Sequence, residues 1–110
     1  MLKISVVTVT KNNVKTIEQT IKSILDQNYP LLEYIVIDGG STDGTLEILK
    51  KYQKNFSYFK SGSDKGIYDA MNKGIVQASG DLIGFVNGDD FLYANSLKTI
   101  NENFSKSKKK

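Results

Sequence analysis

Neither cysteine nor histidine occurs in the 110 residues, and all fifteen basic residues are lysine. Without cysteine there are no disulfides, no thiolate nucleophile and no thiolate zinc site. Without histidine there is no imidazole ligand and no Ser-His-Asp chemistry. Acid–base work falls to Asp, Glu, Lys or Tyr. The lack of arginine removes the bidentate guanidinium clamp on phosphate. Long apolar runs are missing too, since no stretch approaches the ~20 residues of a membrane span. The apolar opening from Ile4 to Val9 is short and interrupted by Ser5 and Thr8, unlike a secretory signal. These absences give a cytoplasmic protein as the expectation, with a peripheral position at the inner face of the membrane as its variant.

What is present suits one small domain. Hydrophobic residues make up 39% of the chain, and a chain of this size buries roughly 65% of its unfolded surface, enough for a single core. The formal charge of +3 belongs to the end of the chain. Lys106, Lys108, Lys109 and Lys110 lie in the last five residues, and removing those four charges leaves −1. The plain reading of this tail is a frayed, solvated terminus, ahead of a weak contact with anionic lipid or nucleic acid.

Apolar spacing organises the remainder. Lys3 to Thr10 (KISVVTVT) is β-branched and reads as a first strand, broken by Lys11-Asn12-Asn13. From Val14 to Asn28 the residues Val14, Ile17, Ile21, Ile24 and Leu25 fall at helical intervals, with Pro30 just beyond. Glu33 to Asp38 is a second strand. A helix carrying Leu46, Leu49 and Tyr52 follows, capped by Ser41, Thr42 or Asp43. Phe56 to Lys60 is a third, edge-like strand, Ser61 to Gly66 a loop, and Ile67 to Ala78 a third helix. Gly80 opens the fourth strand, and Leu97, Ile100 and Phe104 mark a last helix. This βαβαβαβα order predicts an α/β fold, a Rossmann-like parallel half-sheet with helices on both faces.

In such a sheet the carboxyl ends of the strands share one edge, where ligands bind. That edge collects Thr10 to Asn13, Asp38 to Asp43, Ser61 to Gly66 and Asn87-Gly88-Asp89-Asp90. Asp89 and Asp90 end an apolar run from Leu82 to Val86. Two like charges about 4 Å apart repel by about 4 kcal/mol at an effective dielectric near 20, so an enclosed pair favours a cation. The competing reading is a solvated turn, which Asn, Gly and Asp also form. Convergence of Asp38, Asp64, Asp89 and Asp90 on one crevice is the expectation, and it suits a metal–diphosphate ligand. Asp38 alone reads equally as an acceptor for a base or ribose and as a turn residue. The loop Gly39 to Thr45 (GGSTDGT) lacks Gly-Lys-Ser/Thr and the G-x-G-x-x-G spacing, so it is neither a P-loop nor a dinucleotide fingerprint.

Four ordered runs add a resemblance. Ser5–Asn13 (SVVTVTKNN), Leu32–Thr45 (LEYIVIDGGSTDGT), Asp64–Ile75 (DKGIYDAMNKGI) and Ala78–Asp90 (ASGDLIGFVNGDD) together resemble the inverting family 2 glycosyltransferases of the A-type fold. The likeness is closest to bacterial enzymes of polysaccharide and lipopolysaccharide assembly and covers about residues 2 to 100. It implies a nucleotide-diphosphate-sugar donor, most often a UDP-sugar, Mg²⁺ or Mn²⁺, and a glycan or lipid-linked acceptor, with no nucleic-acid partner. By position, Val9 and Lys11 match residues beside the base, Val9 through its backbone. Asp38 matches the acid that reads base and ribose, and Asp64 a loop position near the nucleotide. Asp89 and Asp90 match the D-x-D region that serves ribose, metal and diphosphate. Asn87 stands where many members have the first Asp, so the site is one charge less acidic.

Lys65, Asp69, Asn72 and Lys73 read mainly as solvated or capping residues, with a donor-phosphate role for Lys65 as the lesser alternative. The resemblance divides the chain into a sugar-nucleotide-binding part, 1–104, and a disordered lysine-rich tail, 105–110. The family's domain continues well beyond this length and carries its general base there, so the expected catalytic set in this chain is empty and transfer by it alone is not expected. The fourth strand then lies at an open edge, which predicts self-association. A non-catalytic remnant or interaction module, and an unrelated Rossmann-like nucleotide-binding protein, are the alternatives.

Overall fold

The structure, a computed structural model, describes residues 1–108. Four parallel strands, β1 (Ile4–Thr10), β2 (Leu32–Asp38), β3 (Tyr58–Ser61) and β4 (Leu82–Phe85), form one sheet in the order β3-β2-β1-β4. Helices α1 (Ile17–Leu25), α2 (Thr45–Tyr52), α3 (Ile67–Gln77) and α4 (Ser96–Lys108) connect and follow them. The expected α/β half-sheet is the fold observed.

β1 explains the layering. Ile4 and Val6 point to one face, into a core with Ile17, Ile21, Ile24, Val36, Leu49 and Leu97 from β2, α1, α2 and α4. Val7 and Val9 point to the other face, where Ile35, Ile37 and Ala70 of α3 meet them. Burial of β1 on both faces accounts for its nearly uninterrupted apolar run. At Gly74 of α3, an added Cβ would collide with the Val7 side chain. That glycine therefore sets how closely α3 lies on the sheet.

Chain order and strand order give the crevice. The chain steps outward from β1 to β2 to β3, then crosses back over the α3 face to place β4 on the far side of β1. Strand order reverses between β1 and β4, the position at which such sheets bind ligands.

Two boundaries moved for identifiable reasons. β3 begins at Tyr58, two residues later than the expected Phe56, because a short turn at Gln53–Asn55 ends with the Phe56 amide bonded to Gln53. The Phe56 ring packs edge-on against Tyr34 with centroids 5.3 Å apart. The backbone of α4 runs to Lys108, past the expected boundary at residue 104, while Lys109 and Lys110 of the expected tail lie outside the described residues.

One cross-link between helices titrates. Glu18 Oε2 lies 2.7 Å from Lys51 Nζ and accepts the Tyr52 hydroxyl at 2.6 Å, tying α1 to α2. Lys51 foremost, then Tyr52, hold its carboxyl down at about 2. A carboxylate with a depressed folded pKa contributes stability above its unfolded pKa and loses it as pH falls through the folded one. The melting temperature is therefore expected to fall between pH 4.5 and about 2, and Glu18→Gln to flatten that part of the profile. Thermal melts of both proteins across the window check this.

Candidate functional site

The loop after β1 is stitched to the turn after β2. Asn12, in the left-handed region at φ 55, donates its amide to Ser41 Oγ at 2.8 Å and accepts the Thr42 amide at 2.9 Å. Asn13 donates its amide to Thr45 Oγ1, while its Oδ1 accepts the Thr10 hydroxyl at 2.6 Å and the Lys11 amide at 3.2 Å. These bonds hold Lys11 exposed at the mouth.

The turn after β4 is fixed from beneath. Gly88 donates its amide to Val9 O at 3.0 Å, and its carbonyl accepts the hydroxyls of Thr16 at 2.8 Å and Thr20 at 3.1 Å. A Cβ at Gly88 would lie 2.6 Å from Asn13 Oδ1 and collide with Thr10, so only glycine allows this approach. The Asp90 amide closes the turn on Asn87 O at 2.9 Å, leaving Asp89 exposed on it.

Asp64 completes the enclosure. It is half-buried, its Oδ1 accepts the Gly66 amide at 3.0 Å, and its Oδ2 would stand 2.7 Å from any Cβ placed on Gly39. Gly39 thus leaves room for a carboxylate from the β3–α3 loop. Asp69, in the first turn of α3, accepts the Lys65 amide at 2.9 Å and pairs with Lys73 at 3.3 Å. The Lys65 amide and then Lys73 hold its carboxyl below the usual range.

Together these loops enclose a cleft of about 320 Å³ at the reversal between β1 and β4. Its apolar lining includes Val9, Ile67 and Ala70, and its polar lining includes Lys11, Asn13, Asp64 and Asp89. Of the residues singled out in the sequence, Val9, Lys11, Asp64 and Asp89 come together here. Asp38 and Asp90 do not line the cleft.

Asp38 is 1% exposed, and both its oxygens are occupied. Oδ2 accepts the Ser61 hydroxyl at 2.7 Å and the amides of Ser41 and Gly40 at 3.0 and 3.3 Å, while Oδ1 accepts the Ser41 hydroxyl. Asp90 Oδ1 accepts the Phe91 amide at 2.9 Å, and its carbonyl accepts the Thr20 hydroxyl. The expected convergence of four carboxylates is therefore corrected. Among the described residues no group of three or more Asp or Glu side chains is placed to hold a metal ion.

Sequence reasoning left Ile67 and Ala70 as helix residues. Their signal was their place at the first turn of α3, directly after the loop that carries Asp64. A divalent ion such as Mg²⁺ keeps several waters and takes one or two carboxylates plus substrate phosphates. Asp89 and Asp64, lining one cleft with no cage around them, fit that sparse donor set.

A family model described as Glycosyl transferase family 2 matches residues 5–109. An uncharacterized glycosyltransferase of Mycobacterium tuberculosis is 43% identical over 88 residues, covering 79% of this chain and 34% of that protein. A GalNAc(5)-diNAcBac-PP-undecaprenol beta-1,3-glucosyltransferase of Campylobacter jejuni is 36% identical over 104 residues, covering 91% of this chain and 34% of that protein. The chain thus spans about a third of the length of the curated relatives it matches. The crystal structure of Staphylococcus aureus TarS 1–349 in complex with UDP-GlcNAc superposes with a TM-score of 0.86 at 29% identity, over 94% of this chain and 31% of that one. The mannosyltransferase PcManGT from Pyrobaculum calidifontis in complex with GDP-Man and Mn²⁺ gives 0.78 at 25% identity, over 87% and 30%. No helix among the described residues is long and apolar enough to cross a membrane.

Proposed function

This chain belongs to glycosyl transferase family 2, and on that premise we propose that its cleft binds a UDP-sugar together with one Mg²⁺ or Mn²⁺ ion, for transfer of the sugar to a glycan or lipid-linked acceptor. The observation that carries the proposal is the cleft itself, at the reversal of strand order, with apolar and acidic lining side by side. A base packs against Val9 and Ile67, and the diphosphate lies toward Asp89. TarS, the neighbour crystallised with a uridine nucleotide, shares 29% identity and a TM-score of 0.86 with this chain, which favours uridine over guanosine.

In this reading Asp89 holds the ion, Asp64 lies near the nucleotide within the same cleft, and Asp90 contributes by closing the turn that carries Asp89. An ion held by Asp89 would supply positive charge against a departing diphosphate. Lys11 stands exposed at the mouth beside the base. Asp38 fixes the Gly39–Ser41 turn, and a base or ribose reaches it only by displacing a serine hydroxyl. Asp64 and Asp89 are both engaged with the donor, so no carboxylate in the cleft is left to deprotonate an acceptor.

Differential scanning tests the donor site. Binding to the native state alone raises stability by RT ln(1 + [L]/Kd). UDP with Mn²⁺ at about 100-fold excess over Kd is therefore expected to raise Tm by about 10 °C in a domain of this size, and EDTA to remove most of the shift. No shift at millimolar UDP and Mn²⁺ overturns the proposal. A donor-binding module without turnover is the second reading, since Asp64 and Asp89, the two acidic residues that line the cleft, are both assigned to the donor. Sugar transfer or donor hydrolysis by this chain, abolished by Asp89→Ala, would refute it.

A further inference from the structure

A row of polar side chains runs along α1 beside its apolar stripe. Thr16, Thr20, Ser23 and Gln27 recur at helical intervals of four, three and four, so they share one face. By spacing alone they read as the half-solvated flank of an amphipathic helix. In the fold all four turn to the same stretch of chain, the irregular segment that follows β4. Thr16 and Thr20 donate their hydroxyls to carbonyls of Gly88 and Asp90. Ser23 Oγ accepts the Leu92 amide at 3.0 Å, and Gln27 donates to Tyr93 O at 2.8 Å while accepting the Leu97 amide at 3.1 Å. Every partner on that segment is a backbone group. The row therefore fixes the path of the chain, independently of the side chains it carries.

The first two members of the row bear on Asp89. Thr16 Oγ1 donates to Gly88 O at 2.8 Å, while Thr20 Oγ1 lies 3.1 Å from that oxygen and closer to Asp90 O. A hydroxyl has one proton to give. With Thr16 supplying Gly88 O, the Thr20 proton is left for Asp90 O, and one hydroxyl holds each side of Asp89. Thr20 is fully buried, so water does not compete for its bond. Asp89 itself is exposed and lines the cleft without a hydrogen bond to its carboxylate among the described residues. The backbone of the turn alone decides where that carboxylate points.

We propose that Thr20, with Thr16, is the positioning residue for the ion-binding carboxylate: the two hydroxyls clamp the peptides that flank Asp89 and aim its side chain into the cleft. The proposal rests on the reading that Asp89 holds the ion. A side chain that must meet an ion within about 0.5 Å of its productive place needs support from groups that never touch the ligand. The clamp also gives Asp90 its part, through its carbonyl rather than its carboxylate.

Calorimetry of UDP with Mn²⁺ on single and double variants tests the clamp. Thr20→Val keeps the branched side chain and removes the hydroxyl, and is expected to weaken metal-dependent UDP binding about fivefold, the order of one lost hydrogen bond. Thr20→Ser, which restores the hydroxyl, is expected to stay within about twofold of the unmodified chain. Because the hydroxyl acts through Asp89, adding Thr20→Val to Asp89→Ala is expected to cost nothing further, whereas a general loosening of the fold adds its full loss. Thr16 is only half-buried. Thr16→Val, expected to weaken binding about threefold, decides the question if Thr20→Val does not fold. Unchanged affinity in the folded valine variants overturns the clamp while leaving Asp89 as the ion's ligand. So does a loss that Thr20→Ser shares, or one that adds in full to that of Asp89→Ala. No metal-dependent binding by the unmodified chain overturns the donor site itself, and the clamp with it.

Discussion

Asp38→Ala is expected to destabilise the domain by about 2–3 kcal/mol and to weaken UDP binding at the same time. The carboxylate is 1% exposed and is the acceptor for two serine hydroxyls and two turn amides. Removing it strands those donors, at about 1–3 kcal/mol for each one left buried. Ser61 is exposed and Ser41 partly so, and water can restore some of their bonds, which holds the total to about 2–3 kcal/mol, well below a full penalty for all four donors. Ser41 also anchors the loop after β1, by accepting the Asn12 amide at 2.8 Å. Damage to the β2–α2 turn therefore reaches the mouth of the cleft. Urea denaturation measures the first effect and calorimetry the second. Asp38→Asn, which keeps one acceptor oxygen, is expected to cost about half as much. A melt of Asp38→Ala within about 0.5 kcal/mol of the parent, the usual range for an inconsequential surface change, would show that the buried network is not what holds the loop.

The second large effect falls on Asp89. Asp89→Ala is expected to lower the Mn²⁺-dependent affinity for UDP by about tenfold or more, equivalent to ~1.4 kcal/mol, without changing the melting temperature of the free protein. Asp89 is exposed and its carboxylate accepts no hydrogen bond among the described residues, whereas it lines the cleft directly. Asp90→Ala behaves differently. Its carboxylate serves the Phe91 amide outside the cleft, so its loss is expected to change the affinity by no more than about threefold, in the range of one ordinary hydrogen bond. Equal losses for the two variants would place the ion elsewhere.

The sequence showed the fold more fully than the site. Apolar spacing in Val14 to Leu25 and the β-branched run from Ile4 to Thr10 fix elements whose burial is set locally, and strand–helix alternation leaves few topologies. The sheet edge that gathers the loops follows from that topology alone. Which carboxylates face the cleft does not, because it depends on contacts between residues far apart in the chain. Asp38 looks like a free acceptor at the end of a strand until Ser61, twenty-three residues on, donates to it. Asp90 is diverted by the neighbouring Phe91 amide and by the turn geometry at Asn87. Gly39 and Gly88 look like flexible turn residues, yet each acts by leaving space, for Asp64 in one case and for Asn13 and Thr10 in the other. Such close approaches have no local periodicity by which to be read.

The donor-site account meets its most direct test in a titration of uniformly ¹⁵N-labelled protein with UDP in the presence of Mg²⁺, followed by amide chemical shifts. The expected result is saturable shifts centred on Val9 to Asn13, Asp64 to Ala70 and Asn87 to Asp89, the segments that line the cleft, with little change when UDP is added without metal. Shifts confined to another surface, such as the Lys15, Lys22 and Phe91 side of α1, or no shifts at millimolar UDP, would contradict it.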